Sequence, residues 1–151
     1  NTQKNLSNEI FLVHGHNIAS REEIARFLER CGLNPVVLHE RPNQGRTIIE
    51  KFEANSQVGF AVVLLTPDDI GGKDEHNLSP RARQNVILEL GYFIGKLGRS
   101  RVCAMKAGGI ELPSDILGVV WTPLDTDGWR VALAKELQAA GYNIDWNRVM
   151  S

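Results

Sequence analysis

One acidic side chain stands alone within the most apolar helix-like stretch of the sequence. Between Gln84 and Gly95, Glu89 is the only acid among Val, Ile, Leu, Tyr and Phe residues. Helical periodicity centres a buried stripe on Val86 and Leu90, which leaves Glu89 at its border. Carboxylates at such borders usually reach water, so the spacing alone favours a solvated glutamate. A functional carboxylate is the alternative, and that interpretation needs further support.

Two histidines flank a glycine at the end of the first apolar run. Gly15, between His14 and His16, permits close backbone approach, and the start of the following helix can hold an anion such as a pyrophosphate. A plain turn is the alternative. We expect no metal, because neither a cysteine nor an acid shares this segment. No GxGxxG or Walker A motif occurs, so a Rossmann dinucleotide grip and a P-loop have no support.

Three arginines and two aspartates are further candidates for binding anions or carrying phosphate. Arg46 precedes a predicted helix and can contact a phosphate or carboxylate with two hydrogen bonds, although a solvated surface arginine fits equally well. Arg81 and Arg83 open the next predicted helix, where cations oppose the helix dipole, and this hints at an anionic partner.

Asp68 and Asp69 follow a predicted strand, which is also the position of the phosphoacceptor aspartate in a receiver domain. Because the first strand ends in His-Gly-His and not in an acidic pair for magnesium, we reject the receiver interpretation.

Strands that alternate with helices position these residues. Apolar runs predict strands at residues 9–14, 35–39, 59–65, 101–105 and 117–121. Helical spacing and capping signals predict helices at residues 21–30, from the capping box of Thr47 and Glu50, at residues 81–97, and after Asp127. This alternation predicts an α/β fold in which helices cover both faces of a parallel sheet.

Ligands of such sheets bind beyond the carboxyl ends of the strands, where the strand order reverses. The segments to search are therefore residues 14–17, 40–47, 66–83 and 105–115. The hydrophilic stretch from Thr66 to Pro80 contains Gly71 and Gly72 and is longer than a minimal connection, so we consider it a possible lid.

Gly91 and Gly95 lie four residues apart on one face of the helix that carries Glu89. Each lowers helix propensity by about 1 kcal/mol relative to alanine, so close packing should compensate. The packing neighbour is either the sheet or another copy of the chain, and we favour the sheet.

Composition limits the remaining possibilities. The 151 residues carry a formal net charge of -1, so nothing attracts the chain globally to nucleic acid or to an anionic membrane. Cys31 and Cys103 lie in apolar stretches without CxxC spacing, which indicates buried free thiols in a reducing compartment. No apolar run approaches the roughly 20 residues of a membrane span, and no signal pattern is present, so we expect a cytoplasmic protein. The chain begins at Asn1, and we expect residues 1–151 to be one domain cut from a longer effector.

Four strings in the sequence resemble the TIR-like domains of bacterial anti-phage effectors that respond to cyclic nucleotides. Examples are TIR-STING and the TIR effectors of pyrimidine-cyclase systems, and the resemblance extends from about Ile10 to Asp145. The strings are Phe11-Leu-Val-His-Gly15, Arg41-Pro-Asn-Gln-Gly-Arg-Thr-Ile-Ile-Glu-Lys-Phe52, Gly59-Phe-Ala-Val-Val-Leu-Leu-Thr-Pro-Asp-Asp69 and Arg81-Ala-Arg-Gln-Asn-Val-Ile-Leu-Glu-Leu-Gly-Tyr-Phe-Ile-Gly-Lys-Leu-Gly98.

The resemblance implies a flavodoxin-like TIR fold with a five-stranded parallel sheet and cleavage of the bond between nicotinamide and ribose in NAD+. The essential glutamate of the family matches Glu89. The loop of residues 41–46 corresponds to the BB loop, which gates the pocket and contributes to assembly, and Asp115 matches a further pocket position. We assign the other substrate contacts from their place at the strand ends: His14, His16, Arg46, Thr66, Arg81 and Asn85.

The resulting hypothesis is an NAD+ glycohydrolase that releases nicotinamide and ADP-ribose, or a cyclised product, and depletes NAD+ in antiviral defence. NAD+ is the substrate, and we expect no cofactor. The implied partners are other copies of the domain, whose assembly activates it, and a cyclic-nucleotide-sensing domain in the full-length chain; nucleic acid and membrane are not among them. Two alternatives stay open: a non-enzymatic TIR interaction module, and an N-glycosidase resembling nucleoside deoxyribosyltransferases.

Overall fold

The computed structural model describes residues 7–14, 18–39, 58–67, 69–72, 78–81, 84–108 and 121–150, together with positions 50, 53, 75, 76 and 110. In chain order the strands are β1 (Glu9–His14), β2 (Asn34–His39), β3 (Ala61–Leu65), β4 (Asp69–Gly72), β5 (Leu78–Arg81), β6 (Val102–Lys106) and β7 (Trp121–Pro123). The helices are α1 (Ile18–Arg30), α2 (Gln84–Leu97), α3 (Trp129–Ala139) and α4 (Trp146–Met150), and a 3₁₀ turn at Arg99–Arg101 leads into β6.

Five of the strands form one parallel sheet in the order β2-β1-β3-β6-β7. Every pairing in it is parallel, from β1 with β2 to β6 with β7. From β1 the chain moves outward to β2, then crosses back to β3 and continues in the other direction. This confirms the predicted α/β fold with the flavodoxin-like strand order.

Helices cover both faces of the sheet, as the unbroken apolar strands predict. Alternate side chains of β3 enter two separate hydrophobic clusters: Val62 and Leu64 join α1, α3 and α4, whereas Val63 and Leu65 join α2. All five residues of β3 are buried. Polar side chains of a central strand such as β3 can therefore reach solvent or a ligand only at the ends of the strand.

The hydrophilic segment before α2 differs from its prediction, because part of it forms a small antiparallel ladder of β4 and β5. Asp69 pairs with Arg81 at one end of this ladder, and Gly72 pairs with Leu78 at the other. Arg81 therefore ends a strand, and the prediction that it opens the helix is wrong. Since α2 begins only at Gln84, the argument from the helix dipole does not apply to Arg81.

Several helix and strand boundaries also differ from their predictions. Helix α1 begins at Ile18, three residues before its predicted start, and β7 continues to Pro123 beyond the predicted end of the fifth strand. The predicted cap Asp127 is wrong: Gly128 is the cap residue of α3, without a side-chain hydrogen bond. Here the Trp129 amide donates to the Thr126 carbonyl, so backbone replaces the expected carboxylate. The short α4 was not predicted.

The capping box at Thr47 and the whole of the predicted BB loop lie outside the described residues. Glu50 and Glu53 are described, and both are helical, in agreement with the second predicted helix. Among the described helices, none combines the length and apolar character needed to cross a membrane.

The prediction that Gly91 and Gly95 pack against the sheet is wrong. Both residues are exposed, and a Cβ atom built on either would meet no atom within 4 Å. The sheet-facing side of α2 instead presents Val86, Leu90 and Phe93. Within the described residues, nothing compensates for the low helix propensity of the two glycines.

This open space predicts that Gly91→Ala stabilises the domain. Alanine raises helix propensity by about 1 kcal/mol and meets no steric obstacle, so the free energy of unfolding in urea should rise by about 0.5–1 kcal/mol. Gly98→Ala is the matched control. Gly98 has a φ of 87°, which residues with a side chain rarely adopt, so that substitution should lower the free energy of unfolding. A Cβ atom at Gly98 would meet as little steric obstacle as one at Gly91. Destabilisation by Gly91→Ala would contradict the described packing.

Candidate active site at the carboxyl edge of the sheet

Two buried polar residues mark the carboxyl ends of the central strands. His14 ends β1 with 1% of its surface exposed, and Thr66 follows β3 with 2% exposed. The strand order reverses between β1 and β3, which is the position where doubly wound sheets bind ligands. The two sequence-predicted contacts therefore flank the crevice that the topology creates.

The solvated position that helical spacing favoured for Glu89 is wrong. Only 4% of the residue is exposed, and its neighbours along the helix, Val86, Leu90 and Phe93, belong to the apolar cluster between α2 and the sheet. Carboxylates are costly to bury, so natural proteins seldom place them in apolar surroundings without a function or a partner. This burial makes Glu89 the principal candidate for chemistry.

A ring contact fixes the height of Glu89 relative to the sheet. Phe93 packs against Phe11 of β1 with ring centroids 6.1 Å apart. Glu89 lies four residues earlier in α2, which is about 6 Å along the helix axis. Because α2 runs opposite to the strands, this step leads about two strand residues toward the carboxyl edge, to the level of Val13. Glu89 therefore lies just inside the edge that His14 and Thr66 mark.

The structure brings two more predicted contacts to the same edge. Asn85 is the second residue of α2, about one helical turn before Glu89. Arg81 ends β5, shortly before that helix begins. His16, Arg46 and Asp115 lie outside the described residues, so their assignments stay predictions.

Sequence reasoning did not single out two features of this region. Ile110, after β6, is buried in the same apolar cluster as the sheet-facing side of α2. It lies within one of the searched segments, but an isolated isoleucine between glycine and glutamate carries no periodic signal. The second feature is the β4–β5 hairpin, which separates Thr66 from α2. The paired glycines Gly71 and Gly72 weaken the strand signal there.

Neither cysteine has the properties of a nucleophile. Both are free and buried, as predicted. Burial, and to a lesser extent the charge of Glu136, raise the pKa of the Cys103 thiol to about 12, although the hydroxyl of Thr122, 3.8 Å from Sγ, partly opposes the shift. Burial also raises the pKa of Cys31. Among the described residues, no three His, Cys, Asp or Glu side chains gather as metal ligands would.

The sequence matches a known protein family over most of its length. Residues 9–126 match the family described as "CAP12/Pycsar effector protein, TIR domain". The chain belongs to this family. The five strands of the parallel sheet and the glutamate-bearing helix lie within the matched region, and α3 and α4 follow it. We therefore refer to the described structure as a TIR domain.

Individual relatives agree with the family match and differ in length. The uncharacterized protein YuaY of Escherichia coli K12 is 50% identical over 149 residues, which covers 97% of this chain and 50% of YuaY. The Pycsar effector protein PaPycTIR of Pseudomonas aeruginosa is 36% identical over 87 residues, or 56% of this chain and 26% of that protein. The TIR domain thus spans about half the length of YuaY and a smaller share of the Pycsar effector.

A structural likeness supports the fold alone. A mutant flavo di-iron protein from Thermotoga maritima superimposes with a TM-score of 0.51 at 11% sequence identity, covering 94% of this chain and 33% of that protein. Identity at this level says nothing about shared chemistry.

The raised pKa of Cys103 predicts an inert thiol in the folded domain. The thiolate is the reactive form, and a pKa near 12 leaves almost none of it at pH 8 or pH 10. In a Cys31→Ala variant, we expect an aromatic disulfide reagent to modify no thiol in native protein at either pH and one thiol in urea. Rapid modification of the native protein at pH 8 would contradict the described burial.

Proposed function

We propose that this TIR domain is an NAD+ glycohydrolase, which cleaves the bond between nicotinamide and ribose to release nicotinamide and ADP-ribose or its cyclic form. The observation that carries the proposal is the burial of Glu89 just inside the carboxyl edge of the sheet, beside the topological switch point. Membership of the CAP12/Pycsar TIR family supports the same assignment. The resemblance found in the sequence matches the family's essential glutamate to this residue.

The proposed chemistry needs one carboxylate. Nicotinamide leaves as a neutral molecule, so no general acid has to protonate it, and the barrier lies in forming a positively charged, oxocarbenium-like ribose. Glu89 would stabilise that charge, hold the ribose hydroxyls and then orient the attacking water. Its apolar neighbours Val86, Leu90 and Phe93 limit water and so strengthen the electrostatic interaction with the developing cation.

The other candidate contacts would bind the rest of the dinucleotide. His14 and Thr66 flank the crevice between β1 and β3, where the nucleotide would enter. The amino terminus of α1 opens at the same edge, and such termini stabilise pyrophosphate groups. Asn85 and Arg81 would approach from the side of α2. We also retain His16, Arg46 and Asp115 as substrate contacts in this proposal.

Assembly and signalling complete the proposal. The relatives named Pycsar effector protein and CD-NTase-associated protein 12 connect the family with cyclic-nucleotide systems. We propose that a cyclic nucleotide, sensed by another domain of the full-length protein, drives copies of the TIR domain together. Assembly would complete the pocket through the loop of residues 41–46, and the resulting loss of NAD+ would serve antiviral defence.

Removal of the carboxylate should abolish turnover without unfolding the domain. We expect Glu89→Ala to lower nicotinamide release by at least about 10²- to 10³-fold, the usual effect of deleting a group that stabilises transition-state charge. The measurement is chromatographic detection of nicotinamide and ADP-ribose from NAD+, with the protein dilute and with it concentrated under crowding. Circular dichroism checks that the variant is folded.

Glu136→Gln is the matched control, since Glu136 is a half-buried glutamate of α3, which packs on the opposite face of the sheet from α2. It should keep the activity of the wild type. Normal turnover by Glu89→Ala would refute the assignment. Assembly of the wild type without NAD+ consumption would favour a non-enzymatic interaction module, and a preference for free nucleosides would favour a deoxyribosyltransferase-like glycosidase.

A further inference from the structure

The turn after β6 lies at the carboxyl edge of the sheet, next to the candidate site. Strand β6 is a neighbour of β3, and their pairing continues to Leu65 opposite Lys106. One residue further, the Ala107 amide donates a hydrogen bond of 2.9 Å to the Leu65 carbonyl. Thr66, one of the candidate substrate contacts, comes directly after Leu65. The turn is therefore fastened to the strand end that leads to Thr66.

A carboxylate holds the other side of this turn. Backbone pairing of β6 with β7 ends with Lys106 opposite Pro123, and the Leu124 amide then donates to the Lys106 carbonyl. Gly108 turns the chain with a φ of 65°, in the left-handed region that suits glycine. Its amide donates a hydrogen bond of 2.8 Å to Oδ2 of Asp125. The Asp125 side chain thus supplies an acceptor where the backbone ladder has ended.

The turn leads the chain back to the helix that carries Glu89. Ile110 comes two residues after Gly108, is 5% exposed and belongs to the apolar cluster between α2 and the sheet. Consecutive Cα atoms are about 3.8 Å apart, so Ile110 lies within about 8 Å of Gly108 and joins the cluster at its carboxyl end. The first turns of α2, with Val86 and the buried Glu89, lie at the same end. Ile110 therefore packs at the end of the cluster where Glu89 is buried.

We propose that Asp125 is a positioning residue for the glycohydrolase, because it holds the turn after β6 through the Gly108 amide and so keeps Ile110 packed beside the part of α2 that carries Glu89. This inference rests on the proposed NAD+ glycohydrolase activity and adds to it a residue that acts without touching the substrate. Asp125 follows β7, which is two strands away from β3. A fixed Ile110 limits water near Glu89 and holds the carboxylate in one place, and the stabilisation of a cationic ribose depends on both.

Turnover of NAD+ by two variants of Asp125 tests this role. Asp125→Ala should lower kcat by about tenfold, the effect of losing one charge-assisted hydrogen bond. It should leave KM within about twofold of the wild-type value, because the bound substrate keeps its contacts. Asp125→Asn keeps an oxygen that accepts from the Gly108 amide, so it should retain at least about half of the wild-type kcat.

Asp145→Ala is the matched control. Oδ1 of Asp145 accepts a hydrogen bond of 3.0 Å from the Asn147 amide, which is also an exposed contact between a carboxylate and a backbone amide, but at the start of α4. The control should lower the melting temperature about as much as Asp125→Ala does and leave kcat unchanged. An equal loss of turnover in both variants would show an effect of stability alone and would overturn the positioning role.

A double-mutant cycle tests the route through Ile110. Ile110→Ala removes the packing that Asp125 maintains, so in that background Asp125→Ala should lower kcat by a further factor of less than about two. A loss as large as in the wild-type background would overturn the route. If circular dichroism shows that Ile110→Ala is unfolded, Ile110→Val takes its place, and the further loss should again be smaller than in the wild type.

Hydrogen exchange at Gly108 tests the contact without any NAD+. Followed by NMR, the Gly108 amide should exchange at least about fivefold faster in Asp125→Ala than in the wild type, because it loses its acceptor. Equal exchange rates would overturn the inference whatever the activity. Wild-type kcat in Asp125→Ala would overturn the positioning role and leave the glycohydrolase standing. A wild-type protein that consumes no NAD+ when concentrated under crowding would overturn the proposed function and the positioning role with it.

Discussion

The parallel pairing of β1 with β3 is the constraint on which the rest of the structure depends. Residues 10–13 and 61–65 are at most 1% exposed, because helices cover the sheet on both faces. No polar side chain fits within these runs without losing its hydration. At the carboxyl ends of β1 and β3 the polar residues His14 and Thr66 follow these apolar runs. Polar groups that could take part in chemistry therefore lie at the edge of the sheet and not in its interior.

Glu89 is the exception to this separation of apolar interior and polar edge. Its backbone belongs to a helix whose neighbouring side chains fill the core, and its carboxylate is buried with them. Burying a carboxylate opposes folding, so a residue chosen only for stability at this position would be apolar. The same burial has a use if a positive charge develops nearby, because a carboxylate with little water around it attracts that charge more strongly. The anchoring of Phe93 against Phe11 holds the helix, and with it the carboxylate, at a fixed height.

The sequence predicted the architecture better than it predicted the site. Continuous apolar runs such as residues 61–65 have one physical solution, a strand buried on both faces, and the structure has it. Helical periodicity gave the wrong solvent exposure for Glu89. It predicts only on which side of its own helix a residue lies, and it takes no account of the elements packed beside that helix. The adjacent Tyr92 is half-buried and interacts with Glu53 of a neighbouring helix, so positions at the border of the stripe are covered. The β4–β5 ladder was missed because backbone pairing holds Gly71 and Gly72 in a strand that their propensities disfavour.

The most direct test of the central claim is to measure NAD+ affinity and turnover side by side for the wild type and Glu89→Gln, both concentrated under crowding. If Glu89 stabilises the cationic ribose, its charge matters in the transition state more than in the bound substrate. We expect the dissociation constant to change by no more than a few-fold and turnover to fall by at least about 100-fold. Turnover equal to that of the wild type would contradict the account.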